Sequence, residues 1–266
     1  MNNEINADGV CYLNSAHHRI AFRPNPLAAS LLENPAIERP PLILFCGGFH
    51  SNMRGTKAQE LAEFCTQNNW PFMRFDYRGH GESEGDAEAF TLHDWLADTT
   101  KLLDVYKHPV VIIGSSMGAW LATLAALHRP SQVIGLVLLA AAPDFLQELV
   151  VPKLTPADTW DLQQDQIVSL PSAYESPFPI TQALLDSGKD LSLLSSDDLA
   201  NLSCPIRLLH GTSDIDVPFS LSIRLMDRIV HSHAQLTLLH KADHRLSDDR
   251  SLGCIKSELR DLLSLL

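Results

Sequence analysis

The chain has 266 residues, 45% of them hydrophobic and 20% charged, and its 20 basic against 32 acidic side chains give a formal net charge of −12. That length supports one substantial core, and the acidic excess argues against nucleic acid and against anionic membrane surfaces as partners. The five cysteines (Cys11, Cys46, Cys65, Cys204 and Cys254) are scattered and form no Cys-x-x-Cys pair, which argues against a disulfide framework or a zinc knuckle and for a reducing compartment.

Residues 1–10 are polar and acidic, without the basic and apolar regions of a secretion signal, so a cytoplasmic location is expected. Short apolar pairs, Val10 with Tyr12 and Ile20 with Phe22, flank Asn14-Ser15 and predict a hairpin at a sheet edge. The proline-rich stretch 25–41 reads as loop. Leu42 to Cys46 is wholly apolar and runs into Gly47-Gly48-Phe49, as a buried central strand of a parallel sheet does. Over 54–69, Ala58, Leu61, Ala62 and Cys65 recur at helical spacing and predict an amphipathic helix packed on the core. A strand is expected over 71–77, followed by a polar glycine-rich loop from Arg78 to Gly85. Thr91-Leu92-His93-Asp94 then has the form of a capping box opening a helix.

The chain is organised around the next stretch. Val110 to Ile113 is a buried-strand signal, Gly114-Ser115-Ser116-Met117-Gly118 follows at once, and Ala119 to Leu127 reads as a helix. Strand, sharp turn and helix with a serine at the apex is the order of a nucleophile elbow. The neighbours two residues from that serine must be small, so the spacing selects Ser116, not Ser115. Two plainer readings compete: chance occurrence of a five-residue pattern, and a bilayer span over the uncharged run 109–127. The split of that run into a β-branched half and an Ala/Leu-rich half favours the elbow.

Pro130 ends the helix, and Val133 to Ala142 reads as a second central strand. Alternating strands and helices imply a parallel sheet with helices on both faces and functional loops along one edge. The alternation breaks over 144–203, which is irregular, rich in proline and dotted with Phe145, Leu149, Trp160, Ile167, Tyr174, Phe178, Leu184 and Leu185. A structureless loop of that length is unusual, so we expect an inserted lid of short helices within a single domain, 1–266. Its apolar residues either line a substrate pocket or pin the lid down. Alternation resumes with a strand over 205–211, a helix over 219–230, a strand over 234–239 and a C-terminal amphipathic helix.

A serine hydroxyl needs a base to take its proton, and that base needs a carboxylate to hold its tautomer. In this arrangement the chain order is Ser, acid, His. Asp214 follows the strand ending at Gly211, and His244 follows the last strand, so both stand in that order at the same sheet edge as Ser116. Asp216 is a rival acid two residues on, and Asp243 reads as a surface group beside His244. His80 reads as structural. His17-His18 and His231-Ser232-His233 read as solvated surface rather than metal ligands, and Cys46 as a small core residue.

These parts resemble the α/β-hydrolase superfamily: Gly47-Gly48-Phe49; Asp76-Tyr77-Arg78-Gly79-His80-Gly81-Glu82-Ser83; Gly114 to Gly118; His210 to Pro218; and Asp243-His244. Within it, Phe49 to Ala58 and Asp243 to Ser247 resemble the acyl-protein (palmitoyl-protein) thioesterase branch, whose animal members sit in mitochondria and remove fatty acyl groups from cysteines. The resemblance implies an α/β-hydrolase fold and a serine hydrolase acting on carboxylic esters or thioesters of small molecules or acylated proteins. It assigns Ser116 as nucleophile, His244 as base, Asp214 as acid and the backbone N–H groups of Phe49 and Met117 as oxyanion hole, with no metal or organic cofactor. The chain departs from many relatives in carrying Gly47-Gly48 where they have His-Gly. A cofactor-free haloperoxidase or acyltransferase on the same triad, and a catalytically silent binding member of the fold, remain open.

Overall fold

The computed structural model describes residues 9–15, 18–33, 40–171, 177–231 and 233–266. The strands are β1 (Cys11–Ser15), β2 (His18–Pro24), β3 (Leu42–Cys46), β4 (Phe72–Phe75), β5 (Val110–Ser115), β6 (Val133–Leu139), β7 (Val168–Leu170), β8 (Phe178–Ile180), β9 (Ile206–Gly211) and β10 (Ala234–Leu239). The helices are α1 (Pro26–Glu33), α2 (Thr56–Gln67), α3 (Leu92–Tyr106), α4 (Met117–His128), α5 (Pro156–Gln163), α6 (Gln182–Asp190), α7 (Ser220–Arg228) and α8 (Asp249–Leu263).

The wholly apolar runs sit where burial on both faces requires them. An eight-stranded sheet of order β1-β2-β4-β3-β5-β6-β9-β10 places β3, β5, β6 and β9 inside it, each buried along most or all of its length. From β4 to β10 the pairs are parallel, while β1 pairs with β2, and β2 with β4, antiparallel. One core packs α1, α3, α4 and α7 on one face, and a second packs α2 and α8 on the other. This is the α/β-hydrolase fold. The apolar run once compatible with a bilayer span is β5 followed by α4, and among the described residues no helix is long and apolar enough to cross a membrane.

One local expectation needs correction. Residues 26–33 form helix α1, not loop, because Pro26 stands at its first position, where a missing N–H costs nothing, and the Asn25 side chain accepts from the Ala28 N–H at 2.9 Å. The edge hairpin expected around Asn14-Ser15 is formed by β1 and β2, with Asn14 and Ser15 in β1 paired with Arg19 and His18; residues 16–17 lie outside the described residues.

Between β6 and β9 the chain leaves the layers. It forms a π-helical turn (Leu146–Val150), α5, an antiparallel pair of β7 and β8, and α6. The paired strands add to the short helices expected there. The start of this segment meets the stretch that follows α6 at one buried carboxylate: Asp144 accepts from the backbone N–H of Leu193 (2.8 Å) and Leu194 (2.9 Å) and from the Ser192 hydroxyl (2.7 Å).

Candidate active site

The elbow turns at Ser116, which has φ 57° and ψ −120°, between the end of β5 and the start of α4. That strained conformation is held by hydrogen bonds from its N–H to Leu139 O (2.8 Å) and to its own carbonyl from Ala119 N–H (3.0 Å). A Cβ on Gly118 would lie 2.3 Å from the carbonyl oxygens of Cys46 and Gly47, and one on Gly114 would lie 2.4 Å from Gly118 O. Any side chain at either position would therefore push strand and helix apart.

The turn brings Ser116 Oγ 3.0 Å from His244 Nε2, and His244 Nδ1 lies 2.7 Å from Asp214 Oδ2. A carboxylate only accepts, so Nδ1–H donates to it, and Nε2 is left to accept the serine proton. Asp214 is further held by the N–H groups of Asp216 (3.0 Å) and Val217 (2.8 Å) on Oδ1 and by His210 Nε2 (2.9 Å) on Oδ2. Burial alone would raise its pKa, but the hydrogen bonds from His210, His244 and Val217 win and hold the carboxyl well below the usual carboxylate range. The Ser222 hydroxyl, 2.7 Å from His210 Nδ1, completes the chain.

Asp216 thus meets the acid through its backbone N–H, and its half-buried side chain borders the cavity described next. Among the described residues, Asp214, Asp216 and His244 are the His/Cys/Asp/Glu group with metal-ligand spacing, and two of its members are already hydrogen-bonded to each other. Asp243 is exposed and accepts from Leu246 N–H at 3.1 Å, which closes the His244 loop.

Phe49 and Met117, the expected oxyanion donors, border the same space as Ser116. Gly48 lets the β3 loop lie against the serine: a Cβ there would be 3.2 Å from Ser116 Cβ. His80 is buried against Trp95, Tyr77 and Phe49, and burial lowers its pKa to about 4, so it is neutral. Cys46 is buried, with its thiol pushed up to about 12 by desolvation, and is no nucleophile. His17 and Ser232 lie outside the described residues, while His18 packs edge-on against Phe90.

Two cavities meet at Phe49, Ser116 and His244. One, of about 450 Å³, is walled by Phe145, Leu149, Val150, Leu170, Phe178 and Ile180 of the 144–203 segment together with Met117, Ala142, Ile215 and Val217. The other, of about 220 Å³, is walled by the β3–α2 loop, the first turn of α2 and the loop after His244; polar side chains such as Asn52, Thr56, Lys57 and Ser247 are frequent in its lining, although more of its surface is apolar than polar. Of the large apolar residues singled out in that segment, Phe145, Leu149 and Phe178 face the first cavity. Leu184 and Leu185 are core, Trp160 and Ile167 are exposed, and Tyr174 lies outside the described residues. Sequence reasoning missed the part played by His210, although its place in His-Gly-x-x-Asp was in view, and it missed Lys57 in the smaller pocket.

Comparison with known proteins gives a consistent picture. A model described as the alpha/beta hydrolase family matches residues 42–253. The chain is 35% identical over 248 residues to the mitochondrial palmitoyl-protein thioesterase ABHD10 of Mus musculus, covering 90% of this chain and 82% of that one. It is 32% identical over 253 residues to the Homo sapiens protein of the same name, covering 93% and 81%. The solved structure of alpha/beta hydrolase domain-containing protein 10 from mouse superposes with a TM-score of 0.82 at 30% identity, covering 96% of this chain and 98% of that one. Those relatives are named as mitochondrial, which gives the expected cytoplasmic location no support.

Proposed function

The chain belongs to the alpha/beta hydrolase family, and from that membership we propose that it cleaves acyl thioesters and esters through Ser116, with His244 as base and Asp214 as its orienting acid. The observation that carries this reading is the unbroken hydrogen-bonded series Ser116–His244–Asp214, at 3.0 and 2.7 Å.

In the first half-reaction Ser116 Oγ bonds to the carbonyl carbon while its proton passes to His244 Nε2. The negative oxygen is held by the backbone N–H groups of Phe49 and Met117, each worth roughly 3–4 kcal/mol of transition-state stabilisation. Collapse breaks the carbon–sulfur (or carbon–oxygen) bond, and His244 gives its proton to the departing thiol or alcohol. In the second half-reaction water adds to the acyl-serine, His244 takes a water proton, the Ser116 ester bond breaks, and the proton returns to Oγ. The sum is thioester plus water giving carboxylic acid plus thiol. No step needs a metal or organic cofactor.

We read 144–203 as a lid and the apolar cavity beneath it as the acyl site, whose volume of about 450 Å³ is within the usual range for a ligand cavity. The palmitoyl-protein thioesterase names of the relatives make a long acyl chain, on a small thiol or on a protein cysteine, the substrate class to try first. The intact triad hydrogen bonding speaks against a silent binding protein.

The test is a fluorophosphonate adduct read by intact mass. Wild type and Ser115→Ala should each gain one adduct and Ser116→Ala none, and wild type should release thiol from octanoyl and palmitoyl thioesters. An adduct that persists on Ser116→Ala, or a wild type that neither labels nor turns over, would refute the assignment.

A further inference from the structure

The smaller pocket at Ser116 has a charge pattern that the chain as a whole does not lead one to expect. In a protein with 12 more acidic than basic residues, its walls carry two cations, Lys57 and Arg245, and no carboxylate. Lys57 is half-buried, its ammonium donates to the backbone carbonyl of Arg245, and among the described residues it makes no ion pair. Burial lowers its pKa to about 8 although Asp243 pulls the other way. The ammonium thus stands beside a second cation with a neutral oxygen as its hydrogen-bond partner, and the carboxylates that attract it, Asp243 and Asp214, are not among the residues lining the pocket. A carboxylate entering the pocket would give it a direct ion pair.

We propose that this pocket receives the leaving group, and that Lys57 selects thiols or alcohols that carry a carboxylate close to the scissile atom. The inference rests on the reading of Ser116 as nucleophile and adds the chemistry of the second half of the substrate. The geometry fits the division of labour. The acyl chain takes the apolar cavity, the carbonyl sits at Ser116, and the leaving group lies beside His244, which must hand it a proton. Both cavities share Phe49, Ser116 and His244, so one substrate can occupy both at once.

Two substrates decide it: the octanoyl thioesters of mercaptoacetate and of mercaptoacetamide, alike in acyl chain and size and different in charge. Their rates are divided by their alkaline hydrolysis rates to remove intrinsic leaving-group reactivity. Wild type should favour the carboxylate by about 10- to 100-fold in kcat/KM, the range for a charge-assisted hydrogen bond. The preference should sit mainly in KM, because the contact exists before the transition state, and should shrink at about 0.5 M salt. Lys57→Met should bring the ratio close to one, chiefly through the mercaptoacetate substrate, and Lys57→Arg should retain part of it. A wild-type ratio near one, or an unchanged ratio in Lys57→Met, overturns the proposal while leaving the serine hydrolase reading intact. If Lys57→Met does not fold, the wild-type salt series and Lys57→Arg decide: a salt-insensitive ratio overturns it. Turnover of neither thioester, with no fluorophosphonate adduct, overturns both readings together.

Discussion

The two cavities that meet at Ser116 are made from different kinds of chain. The smaller pocket is walled by loops fixed to strand ends of the sheet, after β3 and β10, and by the first turn of α2. Much of the apolar cavity belongs to the segment between β6 and β9, which is no part of the sheet. Changes in the inserted segment can therefore reshape acyl selection without moving the triad, whereas changes around Lys57 act within a few residues of His244. Under the proposed function, chemistry and acyl specificity are physically separable, and leaving-group recognition is not.

The comparison breaks most completely at the residue both sides depend on. Asp214→Asn should lower kcat by about 10⁴-fold for every substrate, whatever its acyl chain or leaving group. An amide cannot accept from the two histidines on one side and from the Asp216 and Val217 N–H groups on the other as the carboxylate does, and with its NH2 turned toward His244 it favours the wrong tautomer. Steady-state kinetics on short and long thioesters would show it, and a loss confined to one substrate would mean that Asp214 is not the shared acid. Asp144→Ala should act on one side only. It strands two buried N–H groups, those of Leu193 and Leu194, at a cost of about 3 kcal/mol. Thermal unfolding should shift down by several degrees and the long-over-short acyl preference should weaken, while the fluorophosphonate adduct still forms. The finest contrast comes from Phe178→Ala, which removes a ring 5.4 Å from that of Phe49 at the cavity wall. The lost apolar contact should lower kcat/KM for an octanoyl or palmitoyl thioester by roughly 10-fold. An acetyl thioester should be cleaved almost unchanged; an equal loss on both would place Phe178 in the chemistry rather than in chain recognition.

Legibility in the sequence divides along the same line. The sheet and the hydrogen-bonded series Ser116–His244–Asp214 could be read because their constraints are local: β5 opens on four β-branched apolar residues, Gly114 and Gly118 stand where strand and helix touch, and Asp214 and His244 each follow a strand. Helix α1 was hidden by its flanking prolines, although Asn25-Pro26 is itself a helix-start signal. The inserted segment gave up its apolar content but not its orientation, since nothing in the spacing of Phe145, Phe178 and Trp160 says that two line a cavity and one faces water. Lys57 drew no reading of its own from the sequence. Its one local sign was position: it stands in the first turn of α2, where a cation opposes the helix dipole. His210 needed the tertiary structure, because its partners Asp214 and Ser222 lie on a loop and a helix beyond its strand.

The shared anchorage of Leu193, Leu194 and the start of the segment on Asp144 has an evolutionary consequence. A stretch whose entry and exit are stapled together is a cassette, and what lies between the staples can be lengthened, shortened or exchanged while the ends stay in place. Chain-closure entropy hardly opposes this, since doubling such a loop adds only about 0.6 kcal/mol. A library that replaces 145–191 wholesale and keeps the carboxylate and its three donors would sample new acyl ranges on an unaltered catalytic frame.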